Sequence, residues 1–257
     1  MSNISADCFF HFTTSIENLS GILNSFFYSR YSYEKTLLNI NSKSPEVDAA
    51  FPMLCFCDIP LSQIKKHVDT YGYYGLGMNK GWGIRKKLNP VVYVNQYSEI
   101  ATSFSSIIDN FKNTYDQNKS SISIDLWRSI IIVSRFLKAY SSDYYHCGKL
   151  HKDYTFYDER EWRFSPELFL SEFAPLSKDE YANEQKRYEL NAKLSQRDDA
   201  ILKFEPDDIS YIIVKNESER LLMIKILKEC FGQRYNTETV ETLMSKINSC
   251  ERILKDN

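Results

Sequence analysis

The sequence lacks the features that mark several large classes of protein. Charge of neither sign is in excess, because 32 basic residues face 34 acidic ones and the formal net charge is −2. Bulk charge therefore does not predict a nucleic-acid-binding protein, and any such contact has to come from a local patch. There is no run of about eighteen apolar residues, and no basic segment followed by an apolar one at the N-terminus. We expect a soluble, cytoplasmic protein that is not attached to a membrane.

Cysteine and histidine are scarce and scattered. The chain has six cysteines and four histidines, and only Cys55 and Cys57 lie close together in the sequence. This spacing is unlike the paired motifs that hold zinc. The sequence therefore predicts buried free thiols in a reducing compartment and no metal site.

Glycine is also rare, yet it is concentrated in one segment. Five of the eight glycines fall in YGYYGLGMNKGWG, residues 71–83. Such density is typical of tight turns or of places where the backbone approaches another group closely. Neither G-x-G-x-x-G nor G-x-x-x-x-G-K-[ST] occurs, so the glycines alone do not predict a nucleotide site.

Hydrophobic periodicity predicts strands and helices that do not alternate strictly, which favours an α+β fold with a largely antiparallel sheet. Strands are predicted at CFFHF, FPMLCFCDIP, Tyr74–Asn79, 90–94, FYDEREWRF, DAILKFEP and DISYIIV. Helices are predicted after a capping box at Thr14, at 61–70 with Ser62 as cap, and at 178–197, 218–231 and 238–254. Two more helices are predicted within 98–145, and 28–50 is expected to be a loop. Without a visible linker, 1–257 is predicted to be one domain with a helical insertion at 98–150.

The stretch FYDEREWRF, residues 156–164, combines carboxylates with aromatic and arginine residues. In a strand, Glu159, Glu161 and Arg163 share one face, and Trp162 and Phe164 occupy the other. Two interpretations remain open for the acidic face. It is either a solvated surface with ion pairs of little energetic value or the position of a catalytic acid.

Two other polar positions lie in apolar or glycine-rich strands. His11 lies in FFHFT, where a neutral imidazole is most often a satisfied core residue. Tyr71, Tyr73 and Tyr74 lie in YGYYG, and most of the eighteen tyrosines must be structural. Taken together with Glu161, these residues occur in the order His, Tyr, Glu on separate predicted strands, which favours a shared site.

Several segments resemble the AbiGi-type abortive-infection family. They are FFHFTTSIENLSGIL, PMLCFCDIPLSQIKKHVDTYGYYGLGMNKGWG and NPVVYV, within residues 8–95, with DEREWRF as a later block. That family is usually described as the antitoxin of a phage-defence pair. The resemblance implies an antitoxin, or a catalytically inactive module that binds a partner protein.

More distantly, the His, Tyr, Glu series is similar to the H-Y-E signature of ADP-ribosyltransferases. This second resemblance implies a split, mostly antiparallel sheet with C-terminal helices and NAD as substrate. Glu161 would stabilise the oxocarbenium-like transition state of nicotinamide cleavage, and Glu159 would orient or deprotonate the acceptor. No metal is expected to take part.

The same resemblance assigns the cofactor contacts. His11, with Thr13 in the H-F-T opening, would hold the adenosine-side ribose. Tyr74 would stack on the nicotinamide ring, with Tyr71 as the substitute if the strand register differs. These assignments require the side chains to reach one bound dinucleotide.

The leading expectation from the sequence is an NAD-dependent ADP-ribosyltransferase toxin of a bacterial anti-phage toxin–antitoxin system, neutralised by a partner antitoxin. Its acceptor is expected to be a nucleic acid, with RNA favoured over DNA, because Lys80 and the basic run 85–87 lie near the predicted cleft. The alternative is the AbiGi-type antitoxin or inactive partner-binding module.

Overall fold

A computed structural model describes residues 6–34, 49–117, 124–146, 149–166 and 173–256. The strands are β1 Cys8–Thr13, β2 Phe27–Tyr28, β3 Arg30–Glu34, β4 Ala49–Cys57, β5 Tyr74–Asn79, β6 Asn89–Pro90, β7 Val92–Val94, β8 Leu137–Ala139, β9 Ser141–His146, β10 Lys149–Thr155, β11 Glu161–Phe164, β12 Ile201–Leu202, β13 Ile209–Val214 and β14 Ile247–Ser249. The helices are α1 Ile16–Ser25, α2 Lys65–Tyr71, α3 Lys80–Arg85, α4 Glu99–Gln117, α5 Ile124–Ser134, α6 Lys178–Ala182, α7 Glu184–Leu194, α8 Arg220–Phe231, α9 Thr237–Ser245 and α10 Cys250–Lys255.

A central sheet organises the chain. Its strands are hydrogen-bonded in the order β14, β13, β5, β1, β4, β11, β6, and β3 also pairs with β4. Neighbouring strands are antiparallel except β13 and β14. The structure thus confirms a mixed α+β fold with a predominantly antiparallel sheet. Within the described ranges, no helix has the length and apolar character that crossing a membrane would require.

The sheet opens between β1 and β4. β1 pairs with β5 along its whole length, whereas its only register position with β4 is Phe10 opposite Cys57. Further along, the ring of His11 lies against β4, with Nδ1 2.8 Å from the Cys55 carbonyl oxygen. Because a carbonyl only accepts, Nδ1 carries the proton and donates it. The imidazole therefore makes a hydrogen bond to β4 at the position where the two strands diverge.

The two faces of the central sheet bury different groups. Residues directly opposite in antiparallel strands share a face, so Phe10, Cys57 and Glu161 project to one side, which we call the cavity face. The other side carries Phe9 and Trp162, whose rings are 4.6 Å apart, and packs on a large apolar cluster. This cluster, the main core, is built around fully buried residues such as Trp82.

The glycines of β5 make room for aromatic rings of β1 on the cavity face. A Cβ atom at Gly75 would lie 2.8 Å from the ring of Phe12, and one at Gly77 would lie 2.8 Å from the ring of Phe10. Both separations are closer than a side chain tolerates. The glycine-rich segment therefore serves close packing of one strand on another, one of the two roles that its composition predicted.

Several predicted elements are confirmed. β1, β4 and β5 lie where the sequence placed strands, and α1 is a helix as predicted. Its N-cap is Ser15, whose side chain accepts a hydrogen bond from the Asn18 amide, and not Thr14 of the predicted capping box. The predicted helix at 61–70 is instead a 3₁₀ turn, Leu61–Gln63, followed by α2, and no side chain caps it.

Other expectations need correction. The predicted loop at 28–50 contains β3 as well as the start of β4, and its residues 35–48 lie outside the described ones. Within 98–145, α4 and α5 are helices as expected, but β8 and β9 follow them. Leu137 continues the helical spacing of the preceding apolar residues, yet β8 pairs with β7, and this long-range pairing decides its conformation. The predicted helix at 238–254 is interrupted by β14, which extends the central sheet beside β13.

The FYDEREWRF stretch is only partly a strand. Phe156–Glu159 form a 3₁₀ turn, Arg160 adopts the left-handed conformation with φ of 45°, and β11 begins at Glu161. Glu159 therefore does not belong to the strand that the sequence predicted. The opposite face is as predicted, because Trp162 packs against the main core.

Candidate functional site

A cavity of about 630 Å³ opens on the cavity face of the sheet, next to the gap between β1 and β4. β1 and β4 contribute Phe12 and Cys55 to its wall, and α2 contributes His67. Tyr144 of β9 and Tyr181 of α6 enclose it from other sides. A volume of this size is within the range of small-ligand pockets.

Five charged side chains form a connected group at the base of this cavity. We call Glu34, Lys138, Glu159, Glu161 and Arg163 the charge network. Lys138 Nζ lies 2.7 Å from Glu159 Oε2 and 2.6 Å from Glu161 Oε2. Lys138, Glu159, Glu161 and Arg163 are buried, and Arg163 has no exposed area at all. Buried charges of this kind persist only when they are paired and hydrogen-bonded.

Arg163 holds the other side of the network. Its Nε and Nη2 both donate to the Glu161 carboxylate, with Nη2 3.1 Å from Oε2. Nη2 also lies 2.9 Å from Glu34 Oε1, and Nη1 donates to the Arg135 carbonyl oxygen at 2.8 Å. The planar guanidinium is suited to this role because it presents several donors in fixed directions.

The backbone fixes Glu161 as firmly as the side chains do. Its amide N–H donates to the Tyr93 hydroxyl at 2.8 Å, and its carbonyl accepts from the Val91 amide at 3.0 Å. On the β4 side it lies opposite Cys57. The strand, its neighbours and the ion pairs together leave the carboxylate a single orientation.

The charged forms of the network stabilise one another. Burial alone would raise the pKa of Glu161, but attraction from Arg163 and Lys138 outweighs it and holds the pKa well below its usual range. Burial would likewise lower the pKa of Lys138, whereas Glu161 and Glu159 raise it well above its usual range. Glu161 is therefore an ionised carboxylate whose two oxygens both have cationic partners.

Glu159 connects the network to aromatic residues. The Tyr71 hydroxyl donates to Glu159 Oε1 at 2.5 Å, while Lys138 holds Oε2. Burial, together with the nearby Glu159 charge, raises the pKa of Tyr71 well above its usual value. Tyr71 is thus a neutral hydrogen-bond donor to a fixed carboxylate.

The structure brings together some of the predicted site residues and not others. His11, Tyr71, Glu159 and Glu161 all line the cavity. Tyr74 does not: its ring belongs to the main core, and its hydroxyl donates to Glu219 Oε1 at 2.8 Å. Tyr74 therefore lies apart from the cavity, whereas the substitute named with it, Tyr71, lines the cavity from the end of α2.

Thr13 follows the same rule of alternation. It lies directly opposite Tyr74 in the β1–β5 ladder, so the two residues share the face that is turned away from Phe12. Thr13 is not among the residues that line the cavity. Alternation places Thr13 on the same side of β1 as His11, but of the two only His11 is among the residues that line the cavity.

Two of the cations that were expected to meet phosphates form ion pairs away from the cavity. Lys80 Nζ lies 3.0 Å from Asp58 Oδ2, and Arg85 Nη2 lies 2.7 Å from Asp208 Oδ1. Neither residue lines the cavity. Among the residues that the structure describes, no group of three or more His, Cys, Asp or Glu side chains is arranged to hold a metal ion.

Sequence reasoning missed two members of the network. Lys138 follows apolar residues with helical spacing, and Glu34 lies in the segment expected to be a loop. The available signal for Lys138 was its position: this charged residue directly follows a run with helical spacing and directly precedes an apolar residue. For Glu34, no local pattern distinguishes it from a solvated side chain.

Comparison with known proteins supplies the family. A family model described as "Putative abortive phage resistance protein AbiGi, antitoxin" matches residues 25–215. The chain belongs to the AbiGi family. An abortive phage resistance protein AbiGi from Lactococcus lactis subsp. cremoris is 28% identical over 221 residues, which cover 80% of this chain and 88% of that relative. No solved structure matches the chain.

The match to the AbiGi family includes the whole charge network. Every member, from Glu34 to Arg163, lies inside the matched residues, whereas His11 and Thr13 precede them. The AbiGi resemblance drawn from the sequence is therefore confirmed, and it places this chain in abortive-infection phage defence. The comparison does not extend to ADP-ribose transfer.

His67 provides a test of the cavity in this AbiGi-family chain through pH. Burial lowers its pKa to about 4, although Glu159 opposes the shift. An unfolded histidine titrates near 6.5, so between about pH 4 and 6.5 the unfolded chain binds more protons and the folded state loses stability as pH falls. In this pH range, we expect His67→Gln to reduce the slope of the unfolding free energy against pH by up to about 1.4 kcal/mol per pH unit.

The measurement is urea denaturation of wild type and His67→Gln at several pH values from 4.5 to 7.5, after circular dichroism at pH 7.5 shows that the variant folds. The slopes of the two stability curves should diverge only below about pH 6.5. Parallel curves through the whole range would show that His67 is freely protonated in the folded protein.

Proposed function

We propose that this AbiGi-family chain acts as the antitoxin of an abortive-infection phage-defence pair. In this role it binds and neutralises a partner toxin protein, and it does not transfer ADP-ribose. The description of the matched family model as an antitoxin supports the proposal. The state of Glu161 in the structure supports it independently.

The carboxylate of Glu161 is the observation that carries the argument. A carboxylate that stabilises an oxocarbenium-like transition state has to present an oxygen and its negative charge to the sugar. In this chain Arg163 and Lys138 occupy both oxygens of Glu161 and oppose its charge. The residue is therefore better placed to hold β8, β11 and β3 together than to act on a substrate.

The charge of the cavity walls points the same way. Four carboxylates line it, from Glu34, Asp143, Glu159 and Glu161, whereas its single lining lysine, Lys138, is already paired twice. A dinucleotide carries a diphosphate, which is stabilised by free arginine, lysine or helix N-termini. The described lining of this cavity would repel such a group.

A genetic experiment tests the proposal. Deleting this gene from its native locus should arrest growth of the host, because the partner toxin is then unopposed. Supplying the wild-type chain from a plasmid should restore growth. Expressing the chain in a host without the partner toxin should be tolerated. Growth arrest by the chain alone would overturn the antitoxin assignment.

A second candidate function remains attached to the same cavity. The cavity is lined by His11, Tyr71, Glu159 and Glu161. They follow one another in the sequence in the order that the H-Y-E resemblance requires. This supports an NAD-dependent ADP-ribosyltransferase toxin that modifies a nucleic acid, with RNA favoured. Glu161 would then have to exchange Arg163 or Lys138 for the ribose hydroxyl when NAD binds.

Labelled NAD separates the two candidates. A transferase should pass label from NAD to RNA, DNA or protein, and Glu161→Gln should abolish the transfer while keeping the shape of the side chain. Equal, background incorporation by wild type and Glu161→Gln is the result expected of the antitoxin.

A further inference from the structure

The carboxylates that line the cavity are arranged from its mouth to its base. Asp143 is exposed at the mouth, the Glu34 side chain is 13% exposed, and those of Glu159 and Glu161 are 5% and 6% exposed. Lys138 is the one cation among the described lining residues, and it is committed to the two deepest carboxylates. Arg135 lies behind the network and donates to the Pro166 carbonyl oxygen at 2.8 Å. With Arg163 included, the charge network has three carboxylates and two cations, and Asp143 adds a further negative charge, so the surroundings of the cavity are net negative.

Aromatic rings form much of the remaining wall. Tyr33 and Tyr181 are stacked with ring centroids 5.8 Å apart, and Tyr144 meets Phe156 edge to face at 5.3 Å. The faces of such rings attract cations, and they also pack well against alkyl chains. The Nζ of Lys138 shows the first of these interactions here, lying 4.7 Å from the Phe156 ring centroid.

His67 adds an unused polar atom to this wall. Its Nδ1 is buried and has no hydrogen-bond partner among the described residues. The low pKa of the ring keeps it neutral near pH 7, and a neutral imidazole has one acceptor nitrogen. A buried polar atom without a partner is costly, and it is typical of a place where a ligand or water completes the bonding.

We propose that the cavity binds an aliphatic amine with more than one protonated nitrogen, of the polyamine class. One ammonium group binds Asp143 at the mouth, and a second reaches the oxygens of Glu34. The alkyl segments pack against the tyrosine rings between them. The binding is non-covalent, and it does not depend on the antitoxin function proposed above.

Other cations fit the walls less well. A metal ion would gain nothing from the tyrosine and phenylalanine rings that also line the cavity. A flat, singly charged group would satisfy one carboxylate and leave the others. An extended chain with separated charges can contact both the carboxylates and the aromatic rings of this lining.

Isothermal titration calorimetry of the full chain with spermidine tests the proposal. We expect saturable binding that weakens as salt increases, since exposed ionic contacts are screened. Putrescine should bind more weakly than spermidine, and 1,4-butanediol, which replaces the amines of putrescine with hydroxyls, should not bind. A lysine tripeptide serves as a second probe and shows whether the amine groups are also accepted from a polypeptide.

Matched variants locate the site. Asp143→Asn retains the side-chain oxygen that accepts from the Asp153 amide, and Glu34→Gln retains an oxygen for Arg163, so both variants should fold. Each is expected to weaken spermidine binding about tenfold, the loss of one charge-assisted hydrogen bond. Glu241→Gln, an exposed residue of α9, makes the same charge change away from the cavity and should have no effect.

Three results would overturn the proposal. They are the absence of saturable binding by spermidine, equal binding of 1,4-butanediol and putrescine, and equal weakening by Glu241→Gln and Asp143→Asn. Tripeptide binding with no spermidine binding is one form of the first result, because it would assign the cavity to protein side chains and not to polyamines. Each of these results is independent of the growth assays, so failure here leaves the antitoxin proposal standing.

Discussion

Arg163→Met is expected to lower the free energy of unfolding by about 3–5 kcal/mol, the usual cost of removing one partner of a buried ion pair. Arg163 is fully buried and holds both Glu161 and Glu34. Methionine fills similar space but leaves two carboxylates short of their cation. For a chain of this size, the midpoint of thermal unfolding should fall by roughly 6–20 °C.

The measurement is urea and thermal denaturation at pH 7, with Arg197→Met as the matched control. Arg197 forms an ion pair with Asp199, but the two side chains are 44% and 50% exposed, so its loss should cost less than about 1 kcal/mol. Adding Glu161→Gln to Arg163→Met should recover part of the lost stability. If both arginine variants behave alike, the buried network contributes no more than a surface pair.

Lys138→Met is expected to have an effect of similar size, again about 3–5 kcal/mol. Lys138 is the cation shared by Glu159 and Glu161, and attraction from both outweighs the burial that opposes its charge. Its removal leaves the buried Glu159 without a cation and leaves Glu161 with Arg163 alone. The variant should also lose the connection between β8 and β11.

A double variant distinguishes lost charge from lost packing. Glu159→Gln removes the carboxylate that Lys138→Met leaves unpaired and retains an acceptor for Tyr71, so the double variant should be more stable than Lys138→Met alone, by roughly 0.5–3 kcal/mol. Lys255→Met is the control, because that lysine is 72% exposed in its pair with Glu251. A double variant that is less stable than Lys138→Met would show that packing, not charge, is the main loss.

Local sequence patterns were sufficient to predict some strands and helices. β5 has the predicted bounds, and α1 begins one residue beyond the predicted Thr14 cap, with Ser15 as its N-cap. Alternation in β11 correctly separated Trp162 from Glu161. These features depend on residues a few positions apart in the sequence.

The remainder of the site depends on contacts between distant segments. Tyr74 was expected in the cleft, but the register of β5 against β1 turns it toward the main core. Lys138 became part of a strand through pairing with β7, although its neighbours have helical spacing. Glu159 reaches the network because Arg160 adopts a left-handed conformation, which a uniform strand pattern does not include.

The charge network restricts how members of this family can diverge. Each carboxylate is held by a cation, and each cation holds two carboxylates, so a change at one position exposes its neighbours to an unpaired charge. Loss of Arg163 is tolerable only if the carboxylates that it holds are lost as well. The same condition applies to loss of Lys138. Replacement of the whole group by apolar residues is physically acceptable, whereas removal of one cation alone is not. We therefore expect the cations and the carboxylates of the network to be replaced together.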